Sequence, residues 1–302
     1  MHIKISISFL GLILPVGISF YTFQAIGYII DIYKKNSKHE NNFITYALFI
    51  SFFPQLIAGP IERSSSLLCQ FKKKHILITD NVTGGIRLIL CGYFMKTVVA
   101  DRLAVYVNSV YNNISYHNGS SLLLATFFFT FQIYCDFGGY SNIAIGCAKV
   151  MGFNLTTNFN RPYLAVSVID FWRRWHISLS TWFKDYLYIP LGGNRCRKYR
   201  NYYNLLITFI ISGIWHGANG TFIIWGFFNG ILQIIEKTLT DFKNRFFSKN
   251  KNHYKFIVIN RLITFILVSI LWMFFRANNI NDAFLIFKKI LLNQDTLFTG
   301  II

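Results

Sequence analysis

Residues Asn201–Ile235 read NYYNLLITFIISGIWHGANGTFIIWGFFNGILQII and contain no acidic residue, lysine or arginine along 35 positions. A helix that crosses a membrane needs about 20 residues, so this run is too long for one straight span. The glycines and polar residues at its centre, His216–Gly220, predict a break between two short helices. Arg200 precedes His216 by 16 residues, a helical rise of roughly 24 Å, whereas the hydrocarbon core is about 30 Å thick. We therefore expect the imidazole of His216 to lie inside the membrane.

The composition of the whole chain agrees with a membrane location. Of its 302 residues, 53% are hydrophobic, 18% are aromatic and only 14% are charged. The mean hydropathy is +0.40. These values exclude a disordered chain and a disulfide-stapled secreted domain. They indicate an integral membrane protein with the lipid bilayer as its solvent.

The charge is strongly basic, with 30 Lys and Arg against 12 Asp and Glu and a net charge of +18. Such an excess is found in nucleic-acid-binding proteins, on surfaces that bind anionic lipid and in the cytoplasmic loops of membrane proteins. Membrane loops explain it best, because the basic residues bunch between apolar stretches, and we expect no nucleic acid among the partners. The clusters are Lys34, Lys35 and Lys38, then Lys72–Lys74, Arg195–Arg200 and Lys237–Lys255.

Four further segments complete the expected membrane domain. The uncharged run between Lys4 and Asp31 predicts one crossing, and Phe256–Phe275 predicts another. Residues 40–62 are interrupted by prolines and glycine, so we expect a segment that enters the membrane and returns. Residues 103–135 are divided by a polar break, Asn112–Ser121, into two helices. We predict an all-α polytopic fold with six to eight membrane helices and a single membrane-embedded domain over residues 1–302.

Residues Asp170–Tyr188 differ from these runs because aromatic and basic residues alternate along them. At 100° per residue their apolar side chains form one stripe, which predicts an amphipathic helix lying in the plane of the membrane interface. His176 and Arg173 fall at the border between this stripe and the polar face. The stripe consists of Trp172, Trp175, Leu179, Trp182, Phe183 and Tyr186.

Three ionisable residues are candidates for chemistry. His216 is the first, because an ionisable group within apolar sequence is a functional-site hypothesis by default, although a buried neutral imidazole can simply hydrogen-bond a carbonyl. His176 is the second, with a solvated interfacial histidine as the alternative. Asp136 follows an apolar run and is costly there unless it is paired, so structural pairing with an arginine competes with catalysis.

Sequence motifs for metal sites, nucleophilic serine and phosphate binding are not found in the chain. The two candidate histidines, His216 and His176, come without a C-x-x-C pair and so do not indicate a metal site. We expect no metal and no bound cofactor. The chain has no G-x-S-x-G elbow and no phosphate-binding loop. An imidazole in a dry pocket suits removal of the proton from an attacking hydroxyl, and this chemistry fits acyl transfer.

Six motifs in order give the chain a family resemblance. It resembles the membrane-bound O-acyltransferase (MBOAT) family, in particular its bacterial branch of alginate O-acetyltransferase membrane proteins. The motifs are LPVGISFYTFQ (Leu14–Gln24), FPQLIAGP (Phe53–Pro60), YCDFGGYS (Tyr134–Ser141), NFNRPY (Asn158–Tyr163), FWRRWHISLS (Phe171–Ser180) and GIWHG (Gly213–Gly217).

The resemblance implies specific roles and surroundings. His216 matches the essential histidine of the family and His176 its second, more variably required one. Family members look like a ring of transmembrane and re-entrant helices around a thin centre, with the histidine in a tunnel open to both sides. By the same resemblance, acetyl-CoA or another acyl thioester approaches from the cytoplasmic side of the bacterial inner membrane. The acyl group passes toward an exported polysaccharide such as alginate, often through an extracytoplasmic partner acyltransferase. Arg173, Arg174 and Trp175 either shape this site or only pack.

Several alternatives stay open at this point. Within the family, they are transfer of D-alanine onto teichoic acid and O-acetylation of peptidoglycan. Outside it, the basic loops and broken helices are compatible with a transporter or channel, although paired breaks in corresponding halves are not found. Both ends of the chain are short for the family, so we expect either a fragment lacking N- and C-terminal helices or a shortened, inactive scaffold.

Overall fold

The computed structural model describes residues 17–246 and 253–292, and these residues contain α-helices, short 3₁₀ and π stretches, and no β-strand. The predicted all-α fold is confirmed for them. The helices are numbered in chain order. The first six are α1 (Ile18–Tyr33), α2 (Phe43–Ser51), α3 (Phe53–Leu56), α4 (Ser64–Phe71), α5 (Thr79–Tyr93) and α6 (Asp101–Tyr111). The others are α7 (Gly119–Val150), α8 (Val168–Arg174), α9 (Ile177–Phe183), α10 (Lys198–His216), α11 (Gly220–Phe246), α12 (His253–Arg276) and α13 (Ile280–Leu292).

Three of the described helices are long and apolar enough to cross a membrane. They are α7, the portion Gly220–Leu239 of α11, and the portion Phe256–Arg276 of α12. The other segments counted among the predicted six to eight membrane helices do not meet both criteria within the described ranges. Part of the first predicted crossing, residues 5–16, lies outside them.

The predicted helix breaks are confirmed in position. α6 ends at Tyr111 and α7 begins at Gly119, where the Asn118 side chain accepts a hydrogen bond from the Ser121 amide at 2.9 Å. α10 ends at His216 and α11 begins at Gly220. The expectation of two short helices there is wrong for α11, which has 27 residues. It continues because good helix formers such as Glu236 follow the apolar run.

The segment predicted to enter the membrane and return is interrupted where its prolines stand. α2 ends at Ser51, α3 is one turn long, and irregular backbone leads to α4. The Phe49 carbonyl, freed at the end of α2, accepts a hydrogen bond from the Gln24 amide at 2.6 Å. The Gln55 amide also donates to Gln24 Oε1, at 3.0 Å. Protein side chains therefore satisfy this irregular backbone, as such a segment requires.

Helices α5 and α7 touch backbone to backbone. A Cβ at Gly92 would lie 2.5 Å from the Gly139 carbonyl oxygen, and one at Gly139 would lie 2.7 Å from that of Gly92. Gly85 and Gly146 form a second such contact on the same two helices. Gly139 and Gly146, which follow Asp136 on α7, thus serve close helix packing. α5 continues through a π-helical stretch, Phe94–Ala100, into α6.

Helices α10 and α11 form an equally tight hairpin, with His216 at its turn. A Cβ at Gly213 would overlap the Phe222 carbonyl, and one at Gly226 would overlap the Phe209 carbonyl. Gly213 and Gly217 flank His216 in a G-x-x-x-G spacing, and at Gly213 the missing side chain allows this close approach.

The largest buried cluster of the described residues packs α6, α7, α8, α11, α12 and α13 around large aromatic side chains. It places a dry, aromatic wall beside the end of α10. Its most buried aromatic members are Tyr111, Phe171, Trp175, Trp225 and Trp272.

Candidate active site

His216 is the last residue of α10, and the link that follows fixes its position. Gly217 adopts an extended conformation, which ends the helix directly after the histidine. Asn219, two residues further, donates a hydrogen bond from its amide to the Asn278 carbonyl at 2.6 Å. The same side chain accepts one from the Thr221 amide at 3.2 Å. The turn is therefore tied both to α11 and to the link between α12 and α13.

Aromatic side chains surround the imidazole of His216. Its ring centroid lies 4.7 Å from Trp215, 5.0 Å from Phe275 and 5.3 Å from Trp225. Within the described residues no group hydrogen-bonds its ring nitrogens, and the side chain is only partly buried. Both nitrogens are free to meet a substrate. The continuous helix from Arg200 is consistent with the expected depth of His216, which stays a prediction.

His176 lies at a sharp break between α8 and α9. Its φ of 42° and ψ of 55° are left-handed, a conformation that residues with a Cβ rarely adopt. The side chain is 2% exposed. Its ring centroid lies 4.6 Å from Phe137 and 6.3 Å from both Phe20 and Phe159.

The single interfacial helix predicted over Asp170–Tyr188 is therefore wrong. The chain forms α8, a break at Trp175 and His176, α9, and then a π stretch, Lys184–Tyr188. Ser178 is buried together with most of the apolar stripe. His176 does not lie at a polar surface, because the segment folds into the protein and buries the imidazole there.

The structure brings both predicted histidines into one aromatic cluster. His176 stacks on Phe20, whose ring centroid lies 6.2 Å from that of Trp215, and Trp215 contacts His216. Phe20 and Trp215 thus connect the two imidazoles, which are 40 residues apart in sequence (216 − 176). Their catalytic roles stay predictions.

A loop for which the sequence predicted no specific role holds His176. This loop, residues 151–167, carries Asn158, which is fully buried and accepts a hydrogen bond from His176. Glu62 accepts two hydrogen bonds from Thr156 of the same loop, at 2.5 Å from its amide and 3.2 Å from its hydroxyl. Burial raises the pKa of the Glu62 carboxyl, and the bonds from Thr156 oppose that rise. The sequence contained one signal for Asn158, its position at the start of the NFNRPY motif.

A cavity of about 430 Å³ lies beside α10. Most of its lining is apolar, and Arg173, Lys184, Ser212 and Gln233 are among its polar residues. Arg173 therefore faces a cavity, whereas Arg174 pairs with Asp170 at 2.8 Å and serves packing. Trp175 is buried in the aromatic core. From α10 the cavity is lined by Leu205, Thr208, Phe209 and Ser212.

Those four residues form one stripe of α10, because they follow the helical spacing of three or four residues. His216 continues this stripe at the next turn after Ser212. The cavity therefore lies on the same stripe of α10 as the histidine and ends at Ser212, one turn before it.

Asp136 forms an ion pair with a lysine and not with the arginine that the sequence analysis considered. It pairs with Lys96 at 2.7 Å, not with an arginine, and Lys96 also pairs with Asp101 at 2.8 Å. The π stretch that contains Lys96 packs against α7, which brings the ammonium group to Asp136. This ion pair joins two helices outside the aromatic cluster, so its role is structural. Within residues 17–246 and 253–292, no three His, Cys, Asp or Glu side chains are grouped as a metal site would need.

The fold and the paired histidines define an all-α integral membrane protein with an imidazole site enclosed by aromatic side chains. Residues 36–277 match the sequence profile of the membrane-bound O-acyltransferase family (MBOAT), and the chain belongs to that family. The predicted family is confirmed.

Named relatives cover most of the chain. It is 43% identical over 272 residues to the probable alginate O-acetylase AlgI of Pseudomonas syringae pv. tomato, which covers 90% of this chain and 50% of that protein. It is 39% identical over 306 residues to the peptidoglycan O-acetyltransferase of Helicobacter pylori, covering 92% of this chain and 57% of that protein. It is 29% identical over 275 residues to the teichoic acid D-alanyltransferase of Bacillus subtilis, and this match covers 87% of this chain and 67% of that protein. The chain spans about half the length of the AlgI relatives that it matches.

Proposed function

We propose that this protein is an O-acyltransferase that moves a short acyl group, acetyl above all, toward hydroxyl groups of an exported cell-envelope polysaccharide. The observation that carries the proposal is His216, whose ring nitrogens have no partner among the described residues and lie among aromatic side chains, one turn of α10 beyond the cavity-lining Ser212. The names of the relatives support acetyl as the group transferred, since the alginate and peptidoglycan relatives described above are both named for O-acetylation. Alginate or a similar exopolysaccharide is the proposed acceptor.

In the proposed reaction His216 acts as the general base. One of its ring nitrogens takes the proton of the attacking hydroxyl, and the hydroxyl oxygen forms a bond to the thioester carbonyl carbon. The carbon–sulfur bond then breaks, and the proton passes from the imidazolium to the departing thiolate. The products are an ester and a free thiol. A site walled by Trp215, Trp225 and Phe275 favours this sequence because it keeps water away from the thioester.

The cavity beside α10 supports an acyl thioester such as acetyl-CoA as the donor. Its apolar lining suits an acyl and pantetheine arm, and the cationic side chains of Arg173 and Lys184 suit phosphate groups. Tyr188, another lining residue, accepts a hydrogen bond at 2.6 Å from Asn201, just after the basic run Arg195–Arg200. Basic loops favour the cytoplasmic side, so this end of the cavity is the proposed route for a cytoplasmic donor.

We place the protein in the bacterial inner membrane with several crossings. The helices able to span and the basic loops support this location. The acyl group then reaches the polysaccharide directly or through an extracytoplasmic partner acyltransferase.

O-acetylation of peptidoglycan is the second candidate. It uses the same chemistry, and the identity to the Helicobacter pylori relative is close to that of the alginate relative. The two candidates differ only in the acceptor.

Acetylation in cells tests the proposal. The gene for the full-length protein is deleted, the strain is complemented with variants, and ester-linked acetyl groups are measured on isolated exopolysaccharide and on peptidoglycan. We expect His216→Ala to lower acetylation by at least about 100-fold, the usual contribution of a general base. His176→Ala should retain measurable activity, because His176 supports the chemistry. His39→Ala, an exposed histidine in a loop, is the matched control.

Full acetylation by His216→Ala at normal abundance would overturn the assignment. Loss of activity in His176→Ala as complete as in His216→Ala would contradict their ranking. Acetyl groups on peptidoglycan alone would select the second candidate. D-alanine esters on teichoic acid would refute both acetylation proposals.

A further inference from the structure

The amide of Asn158 makes four hydrogen bonds around His176. Its oxygen lies 3.1 Å from His176 Nδ1, 3.2 Å from the Ser178 amide nitrogen and 3.0 Å from Ser178 Oγ. Its nitrogen donates to Ser141 Oγ at 3.3 Å. Ser178 Oγ in turn accepts a hydrogen bond from the Ile61 amide at 3.0 Å, so it is free to donate to Asn158.

These contacts fix which ring nitrogen of His176 carries hydrogen. The Ser178 backbone amide can only donate, so the Asn158 atom that faces it must be the carbonyl oxygen. An amide oxygen can only accept, so His176 Nδ1, which faces the same oxygen, must be the donor. A neutral imidazole with hydrogen on Nδ1 has its lone pair on Nε2.

The backbone of His176 is held by the same loop. The Asn158 carbonyl accepts a hydrogen bond from the Ile177 amide at 2.9 Å, and the Asn160 amide donates to the Arg174 carbonyl at 2.9 Å. These two bonds bracket His176 on both sides. They hold it in the left-handed conformation described above, which surrounding structure must impose. Asn158 thus controls both the backbone and the ring of His176.

His176 Nε2 is buried and has no hydrogen-bond partner among the described residues. Buried polar atoms are almost always paired, so an unpaired acceptor in an active-site cluster marks the place of a missing donor. The ring contacts through Phe20 and Trp215 place this atom in the cluster that contains His216.

We propose that Asn158 is a positioning residue, which holds His176 with hydrogen on Nδ1 so that Nε2 accepts a hydrogen bond from a hydroxyl of the acceptor sugar next to the one that attacks. The sugar is thereby oriented, and His216 removes the proton of the attacking hydroxyl. The identity of the hydroxyl rests on the proposed function. The tautomer does not, because it follows from the contacts of Asn158 alone.

A spectroscopic experiment tests the tautomer without any substrate. The full-length protein is labelled with ¹⁵N,¹³C-histidine, reconstituted in lipid bilayers and studied by solid-state NMR at a pH where His176 is neutral. The difference spectrum against His176→Gln assigns its signals. We expect a protonated Nδ1 and an unprotonated Nε2 in the wild type. In Asn158→Ala we expect loss of this single form.

A wild-type ring with hydrogen on Nε2 would overturn the proposal, as would an unchanged tautomer in Asn158→Ala. Because this readout needs no activity, its failure is distinguishable from failure of the proposed acyl transfer. The wild-type spectrum also decides the question if Asn158→Ala does not fold.

Acetylation by the same variants tests the functional part. We expect Asn158→Ala to lose up to about 100-fold in activity, which misplacement of a group by about 1 Å can cost, and no more than His176→Ala loses, because Asn158 acts through His176. Asn158→Asp keeps an acceptor oxygen for Nδ1 and should recover a large part of the loss. Asn154→Ala is the matched control, because Asn154 is an exposed asparagine of the same loop. Asn158→Ala with full activity, or Asn158→Asp as inactive as Asn158→Ala at equal abundance, would refute the positioning role.

Discussion

Replacing Gly139 with alanine is expected to destabilise the protein, whereas the same change at the neighbouring Gly138 is not. A Cβ at Gly139 would lie 2.7 Å from the Gly92 carbonyl oxygen and 3.1 Å from the Lys96 amide nitrogen. Both are backbone atoms of the facing helix, so the two helices must separate. A Cβ at Gly138 would meet the end of the Met95 side chain at 3.3 Å, and this flexible end can move aside.

The comparison of these two variants isolates the clash. Both residues lie within α7, so the gain in helix propensity from glycine to alanine, about 1 kcal/mol, cancels between them. Overpacking of a close contact costs about 1–3 kcal/mol. At about 2–4 °C per kcal/mol for a protein of this size, Gly139→Ala should unfold roughly 2–12 °C below Gly138→Ala.

The measurement is the thermal unfolding midpoint of each purified variant in detergent, followed by size-exclusion chromatography of heated samples. Gly146→Ala repeats the test one contact away, because its Cβ would lie 2.6 Å from the Gly85 carbonyl oxygen. Equal midpoints for Gly138→Ala and Gly139→Ala would refute the reasoning, since they would mean that α5 and α7 do not touch at this point.

Two further predictions concern charged groups. Burial raises the pKa of Glu62 above its usual 4.5, so the folded protein binds this proton more tightly than the unfolded chain, and wild-type stability falls as pH rises above 4.5. Glu62→Gln lacks the titrating carboxyl and loses no stability from it as the pH rises. The unfolding midpoint of Glu62→Gln minus that of the wild type should therefore increase from pH 4.5 to pH 8. A difference that decreases over that range would contradict a raised pKa of Glu62. Lys96→Ala leaves Asp136 and Asp101 without their cation, which should cost up to about 3 kcal/mol in apolar surroundings and lower the unfolding midpoint. Adding Asp136→Asn should recover part of that loss, and a double variant no better than Lys96→Ala would exclude an unpaired carboxylate as the cause.

The helix boundaries next to His216 and between α6 and α7 were predictable from sequence. Uncharged runs of residues set the length available for a helix, and glycine or asparagine marked where each run is interrupted. The glycine contacts of α7 were also predictable, because small residues at helical spacing have few other uses in lipid.

The bend at His176 was not predictable, for a physical reason. The helical periodicity over Asp170–Tyr188 is real, yet it assumes an unbroken helix. The break depends on two hydrogen bonds with a loop earlier in the chain: the Ile177 amide donates to the Asn158 carbonyl, and the Asn160 amide donates to the Arg174 carbonyl. Asn158 lies 18 residues before His176 (176 − 158). No local pattern contains such a tertiary contact.

The partner of Asp136 was missed for a related reason. The sequence showed that a carboxylate in an apolar run needs a cation, but the choice of Lys96 depends on how the π stretch of the neighbouring helix faces α7. His216 and His176 were identified as candidates from residue type and motif alone, whereas their joining through Phe20 and Trp215 required the folded chain.

The hairpin of α10 and α11 has a mechanical consequence. Because the carbonyls of Phe209 and Phe222 leave no space at Gly226 and Gly213, the two helices cannot slide past each other without breaking that fit. They carry His216 as one stiff arm. Any opening that admits the proposed polysaccharide acceptor to the imidazole must therefore come from the surrounding walls, such as Phe275 on α12, while His216 itself stays still.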